Sequence, residues 1–147
     1  MSIVLATTVD IIATPEEVWE VLSDFSAYGE WSNFSRVDGT AELGSTLRMR
    51  MRMPGFWFSS TVTAVDEARE LQWSATLLSA GLFLGEHSFV LSVTDDGGTR
   101  VHNTETFSGA LTGPFTGLFA KNHGDGGYAA FNQSLKRRVE ARVPQAS

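Results

Sequence analysis

His87 and Glu105 are the two side chains of this 147-residue sequence whose types and spacing could do chemistry. An imidazole held beside a carboxylate suits acid–base work, because the carboxylate orients the ring and the ring exchanges a proton near neutral pH. Both residues lie in stretches of alternating polarity. In Phe83 to Val93 the inward set is Phe83, Gly85, His87, Phe89, Leu91 and Val93; in Thr99 to Gly109 it is Val101, Asn103, Glu105, Phe107 and Gly109. Thr94-Asp95-Asp96-Gly97-Gly98 between them is a hairpin signal. A one-residue slip would turn one strand over, so only registers that keep the two apolar faces together are allowed. A three-residue loop Asp95-Asp96-Gly97, with Gly97 in the left-handed position, sets His87 opposite Glu105 and Phe89 opposite Asn103. A five-residue loop sets Phe89 opposite Glu105 and leaves His87 diagonal to it. Either way the ring and the carboxylate are within side-chain reach.

An ionisable group facing a core is costly unless it is paired. Three readings of the pair follow. His87 and Glu105 are a mutually satisfied structural pair, or a polar patch that orients a ligand hydroxyl or carbonyl, or an acid–base couple with His87 as general base and Glu105 as its orienting group. Around them, Trp31, Phe34, Met49, Met51, Trp57, Trp73, Phe89, Phe107, Phe115 and Phe119 are the apolar candidates for a cavity lining, each of which could equally be core filler. Asn103 shares the face of Glu105, and Asn132 lies one residue from the apolar face of the last helix, where it could reach the interior. The three histidines His87, His102 and His123 have no metal-ligand spacing. No Gly-x-Ser-x-Gly elbow or phosphate loop is present, so no cofactor is expected.

These side chains need elements to hold them. Ile3 to Ala13 is rich in β-branched residues and reads as a first strand. Thr14, Pro15 and Glu17 form the capping-box signature of a helix carrying Val18, Val21 and Leu22, and Asp24 can cap a second short helix with Phe25, Tyr28 and Trp31. Thr46 to Met53 alternates, with Leu47, Met49, Met51 and Met53 on one face and Arg48, Arg50 and Arg52 on the other. Pro54-Gly55 marks a turn, Phe56 to Val65 the next strand, and Leu71, Trp73 and Ala75 the inward set of another. One apolar side and one wet side is the antiparallel pattern. The stretch long enough to cover such a sheet is Gly113 to Arg142, where Tyr128, Phe131, Leu135 and Val139 make one helical face. Its first half carries Gly117, Gly124, Gly126 and Gly127, and Phe115 to Gly127 reads as a hinged flap beside a cavity mouth. The expected fold is α+β: a helix-grip domain spanning residues 1–147, with a curved antiparallel sheet of six to seven strands around a long C-terminal helix.

The totals exclude several classes of partner. A net charge of −6 argues against nucleic acid, and the clusters Arg48/Arg50/Arg52 and Lys136/Arg137/Arg138 read as solvated faces. No run is long enough for a membrane span, and the N-terminal stretch lacks a secretory pattern, so a cytoplasmic location is expected, as a monomer or homodimer. The absence of cysteine removes disulfides and thiolate chemistry.

Ile11 to Phe25, followed by Tyr28 and Trp31, resembles the opening of the polyketide cyclase/dehydrase and lipid-transport family of the START and Bet v 1-like superfamily. Gly85 to Phe89, Gly98-Thr99-Arg100, Glu105 to Gly109 and the Asn132, Leu135, Lys136, Val139, Glu140 pattern resemble its late strands and last helix. The resemblance implies a large internal cavity between sheet and helix, holding a hydrophobic small molecule such as a lipid, polyketide or other aromatic metabolite. Its superfamily also contains cyclase/dehydrase-like enzymes, for which the candidates here are His87 and Glu105, and protein-interaction modules of the Hsp90-activator kind. The family transfers no catalytic set residue by residue.

Overall fold

The computed structural model describes residues 2–52, 55–77, 79–112 and 127–143. Within them the period-two stretches form seven strands: β1 (Ser2–Ile11), β2 (Phe34–Asp38), β3 (Thr46–Met51), β4 (Trp57–Asp66), β5 (Glu70–Leu77), β6 (Ser79–Val93) and β7 (Thr99–Ser108). Their order across the sheet is β1-β7-β6-β5-β4-β3-β2, and every adjacent pair is antiparallel. The chain thus meanders from β2 to β7, and β1 closes onto the last strand.

β1 stops at Ile11 because the Ala13 N–H turns back to the Ile11 carbonyl at 2.9 Å, which presents Thr14 as a helix cap. Thr14 Oγ1 accepts from the Glu17 N–H at 3.2 Å and Glu17 Oε1 accepts from the Thr14 N–H at 2.9 Å, the reciprocal pair of a capping box. Helix α1 (Pro15–Leu22) follows and buries Val18, Val21 and Leu22. A single 3-10 turn (Phe25–Ala27) leads into the short α2 (Tyr28–Trp31). Helix α3 (Tyr128–Arg142) buries Phe131, Leu135 and Val139 as an i, i+4, i+8 stripe, with Asn132 beside it.

Polar bonds fix α3 against the end of β1. Glu140 Oε2 accepts from the Ile12 N–H at 2.8 Å and from Lys136 Nζ at 2.7 Å, while Lys136 Nζ also donates to the Asp10 carbonyl at 2.7 Å. The fold is therefore the expected α+β helix-grip arrangement, with seven strands.

The β6–β7 hairpin adopts the tighter of the two registers. Gly97 has φ +84°, the Gly97 N–H donates to the Thr94 carbonyl at 3.0 Å, and the Thr94 N–H donates to the Gly98 carbonyl at 3.0 Å. A left-handed residue is what a three-residue loop needs, and glycine supplies it without a Cβ penalty. His87 then pairs with Glu105 and Phe89 with Asn103. Across the inner face this creates three rows. One runs Leu5, Glu105, His87, Trp73, Val62; its neighbours run Thr7, Asn103, Phe89, Leu71 and Ile3, Phe107, Gly85, Ala75.

Candidate functional site

The middle row places the imidazole beside the carboxylate, yet the two do not bond. His87 Nδ1 lies 3.6 Å from Glu105 Oε2, too far for a hydrogen bond. The ring instead turns its other nitrogen along β7, where Nε2 is 2.6 Å from Asn103 Oδ1. Asn103 Nδ2 in turn donates to Asn132 Oδ1 on α3 at 2.8 Å. An asparagine that donates through Nδ2 must accept through Oδ1, so the His87 proton sits on Nε2 and Nδ1 keeps a lone pair directed at Glu105. The result is a relay from β6 through β7 to the helix. The mutually satisfied His87–Glu105 pair considered from sequence is corrected accordingly: parity set the two residues opposite each other, but the side-chain rotamers send the short bond to Asn103.

Burial decides the charge state of the relay. Asn103 is 0% and Asn132 1% exposed, and His87 is 7% exposed. Burial pushes the His87 pKa down from 6.5 to about 4, with the Asn103 bond opposing it. Burial likewise pushes the Glu105 pKa up from 4.5 to about 8, and the negative charge of Glu86 adds to the rise. Both shifts favour the uncharged forms, an imidazole and a carboxylic acid. Two buried atoms at the relay lack a hydrogen-bond partner, Asn132 Nδ2 at its helix end and Glu105 Oε2 beside its His87 end. Such atoms are unusual, since an unmade bond costs about 1–3 kcal/mol.

Aromatic rings surround this polar line. His87 stacks on Phe89 with centroids 4.6 Å apart and meets Trp73 at 5.0 Å and Tyr128 at 5.3 Å. Phe89 reaches Phe131 at 5.4 Å, and Phe131 reaches Trp31 at 5.2 Å and Phe34 at 6.4 Å. Met49 is fully buried in the same cluster, with half-buried Met51 packed against it. Phe107 is buried next to Gly85 on the third row. The structure thus brings together Trp31, Phe34, Met49, Met51, Trp73, His87, Phe89, Asn103, Glu105, Phe107 and Asn132 on one side of the sheet.

Trp57 is not among them. It is 42% exposed and lies on the outer face, where it pairs with Arg50 and the Arg48 guanidinium sits 4.9 Å from its ring centre. The inward aromatic of that strand is Phe58, which pairs with Met49. Phe115 and Phe119, with most of the proposed flap, lie outside the described residues, as do Met53 and His123.

One contributor escaped the sequence reading. Gly85 and Ala75 are paired neighbours on the inner face, so β5 and β6 carry almost no side chain there. A Cβ at Gly85 would lie 3.4 Å from Glu105 Oε1 and 3.5 Å from the Phe107 ring, which makes the glycine a notch beside the carboxyl group. Its signal in the sequence is a glycine at an inward strand position.

Among the described residues no cluster of His, Asp or Glu could hold a metal ion, and His102 is on the outer face, where its Nε2 lies 3.4 Å from Ser92 Oγ. No helix of the described residues is long and apolar enough to cross a membrane. An open cleft of about 410 Å³ lies elsewhere, beside Asp10, Asp95, Asp96, Arg100 and Lys136. Its charged rim, with the Arg100–Asp10 ion pair at 2.7 Å, is unlike the aromatic interior.

The sequence profile of the family described as polyketide cyclase/dehydrase and lipid transport matches residues 2–140. Several solved structures share the architecture. The Zhui aromatase/cyclase from Streptomyces sp. R1128 is 17% identical, with a TM-score of 0.74 over 100% of this chain and 99% of that one. A truncated norcoclaurine synthase from Thalictrum flavum is 13% identical, with a TM-score of 0.75 over 97% and 96%. A protein of unknown function from Staphylococcus aureus is 10% identical, with a TM-score of 0.75 over 99% and 98%. At these identities the likeness is one of fold. No curated protein sequence matches the chain significantly.

Proposed function

Because the chain belongs to the polyketide cyclase/dehydrase and lipid-transport family, we propose that it binds a hydrophobic small molecule, a lipid, a polyketide or another aromatic metabolite, between the inner face of the sheet and α3. The observation that carries this reading is the relay from His87 through Asn103 to Asn132, set among aromatic rings, with two buried polar atoms, Glu105 Oε2 and Asn132 Nδ2, left without a partner beside it. A core that only needed filling would gain stability by replacing such groups with apolar ones. A binding interior instead combines apolar walls with a few convergent polar groups. The test is thermal unfolding of the purified protein with fatty acids, quinones and aromatic polyketides, together with native mass spectrometry of the protein as isolated. A ligand at a hundredfold excess over its Kd contributes about 2.7 kcal/mol, a rise in Tm of roughly 5–10 °C. No shift with any of them, and no adduct mass, removes the proposal.

A second reading, a cyclase/dehydrase-like enzyme, is favoured by one further detail: the lone pair of His87 Nδ1 faces the acid form of Glu105. Glu105 would give its proton to a ketone oxygen while Nδ1 takes one from the adjacent carbon, leaving an enol, a carboxylate and an imidazolium. Under this reading Glu105→Gln abolishes turnover of a bound polyketide and leaves its Kd within a few fold. Turnover unaffected by that change excludes it.

A further inference from the structure

The two edges of the sheet are finished differently. β2 is five residues long, breaks register between Phe34 and Arg36, and carries Arg36 and Asp38, all features that discourage a further strand from pairing. β1 has none of them. Its ten residues pair with β7 without a shift, and from Ser2 to Val9 they include no charge, proline or glycine. Backbone groups along such a strand point alternately to either side. The Asp10 carbonyl accepts from Lys136 Nζ and the Ile12 N–H donates to Glu140 Oε2, so the even-numbered groups are the ones that face away from β7. Helix α3 thus covers this edge at Asp10 and Ile12. Among the described residues the outward groups of Val4, Ala6 and Thr8 have no partner. Val4 is 58% exposed, and Ala6 and Thr8 are exposed beside it.

We propose that this edge is an interface between two copies of the chain, joined by antiparallel pairing of β1 with β1 about a two-fold axis at Leu5. The outward groups meet only if even-numbered residues oppose even-numbered ones. Centred on Leu5, the pairing sets Ser2 opposite Thr8 and Val4 opposite Ala6 of the second copy, and leaves Asp10 outside it, where Arg100 Nε donates to its carboxylate at 2.7 Å. A register centred on Ala6 would set Ser2 against Asp10, whose carbonyl is already taken by Lys136. On the inner face half-buried Leu5 meets Leu5 of the second copy, apolar against apolar on the axis. Each chain carries a net charge of −6, yet the segments that meet are neutral, and the β7 residues behind them on the outer face, His102, Thr104 and Thr106, add no carboxylate. A neutral segment that matches itself about a two-fold axis favours a second copy over a strand of another protein.

The test is sedimentation of the full chain over a range of concentrations, with disulfide cross-linking of single-cysteine variants, which is free of background because the chain contains no cysteine. The expected result is a concentration-dependent rise toward twice the mass of one chain. Under mild oxidation Leu5→Cys should give a linked dimer at least about tenfold faster than Thr8→Cys, because only position 5 faces itself across the axis at a separation a disulfide can span. V4K and A6D should each weaken the association severalfold, by setting like charges on neighbouring rows of one face. Mixing the two variants should restore it, because the new charges then lie opposite one another. A single-chain mass at every concentration, or equal cross-linking at the two positions, overturns the interface. Association that survives both V4K and A6D lies on another surface and overturns it as well. The wild-type sedimentation and the cross-linking comparison decide the matter even if a charged variant fails to fold.

Discussion

Asn103 Nδ2 donates to Asn132 Oδ1 across 2.8 Å, and through this bond the last strand holds the last helix from inside the core. Asn103 also accepts from His87 at 2.6 Å, so Asn103→Leu leaves the His87 N–H and the Asn132 carbonyl oxygen unmatched at once. At about 1–3 kcal/mol for each buried unpaired group, the expected loss is roughly 2–5 kcal/mol in urea unfolding. Asn132→Leu orphans a single donor and removes one that already lacked a partner, so it should cost less. The double variant should be more stable than the sum of the two single losses implies, because the shared bond is counted twice. Additive losses would mean that the bond contributes nothing.

The opposed shifts of His87 and Glu105 shape the dependence of stability on pH. With its pKa raised from 4.5 to about 8, Glu105 keeps in the fold a proton that the unfolded chain releases, so stability falls as pH rises between those values. With its pKa lowered from 6.5 to about 4, His87 refuses a proton that the unfolded chain takes up, so stability falls as pH drops between those values. From pH 4.5 to 6.5 the two slopes cancel, which gives a plateau with a decline on either side. The groups facing Glu105 are His87, the charge of Glu86, and apolar Leu5 and Phe107. Glu105→Gln removes the alkaline decline, so its advantage over the wild type should grow by up to about 1.4 kcal/mol per pH unit between pH 6.5 and 8. A difference that stays constant with pH would show that Glu105 does not titrate in that window.

Much of this site could be read from strand parity. The alternation around His87 and Glu105 put both on the inner face, and the turn residues reduced their pairing to two registers. Parity cannot choose a rotamer, however, and it is a rotation of the His87 ring that decides between Asn103 at 2.6 Å and Glu105 at 3.6 Å. Trp57 failed for a related reason. Phe56, Trp57 and Phe58 are three aromatics in succession, so the sequence has no polar neighbour to mark the outward one, and the pairing of Arg50 with Trp57 settles it. Gly85 carries no side chain to report its surroundings, and its importance emerges only when Glu105 and Phe107 are placed around it.

The start of α1 offers a local test far from the relay. Thr14 Oγ1 and Glu17 Oε1 each satisfy a backbone N–H at the helix start. Thr14→Ala removes one of these bonds and should cost about 1 kcal/mol, a fall in Tm of roughly 2–4 °C, without changing ligand affinity. A larger fall that comes with weaker binding would mean that α1 helps to shape the interior.

Gly85→Ala separates stability from binding most directly. The added Cβ would meet Glu105 Oε1 at 3.4 Å and Phe107 at 3.5 and 3.6 Å, which are ordinary contacts at the tight end of the range. Gly85 has no positive φ, so alanine fits its backbone. Replacing a strand glycine should then stabilise the protein by up to about 1 kcal/mol, chiefly by restricting the unfolded chain. The same methyl group fills the notch beside the Glu105 carboxyl group. If a bound ligand reaches Glu105 there, its affinity should fall severalfold while Tm holds or rises, an opposition that simple damage to the fold cannot produce. Unchanged affinity would place the ligand away from Gly85, and a lower Tm would show that the added methyl group disturbs the packing of Phe107 and Glu105 around it.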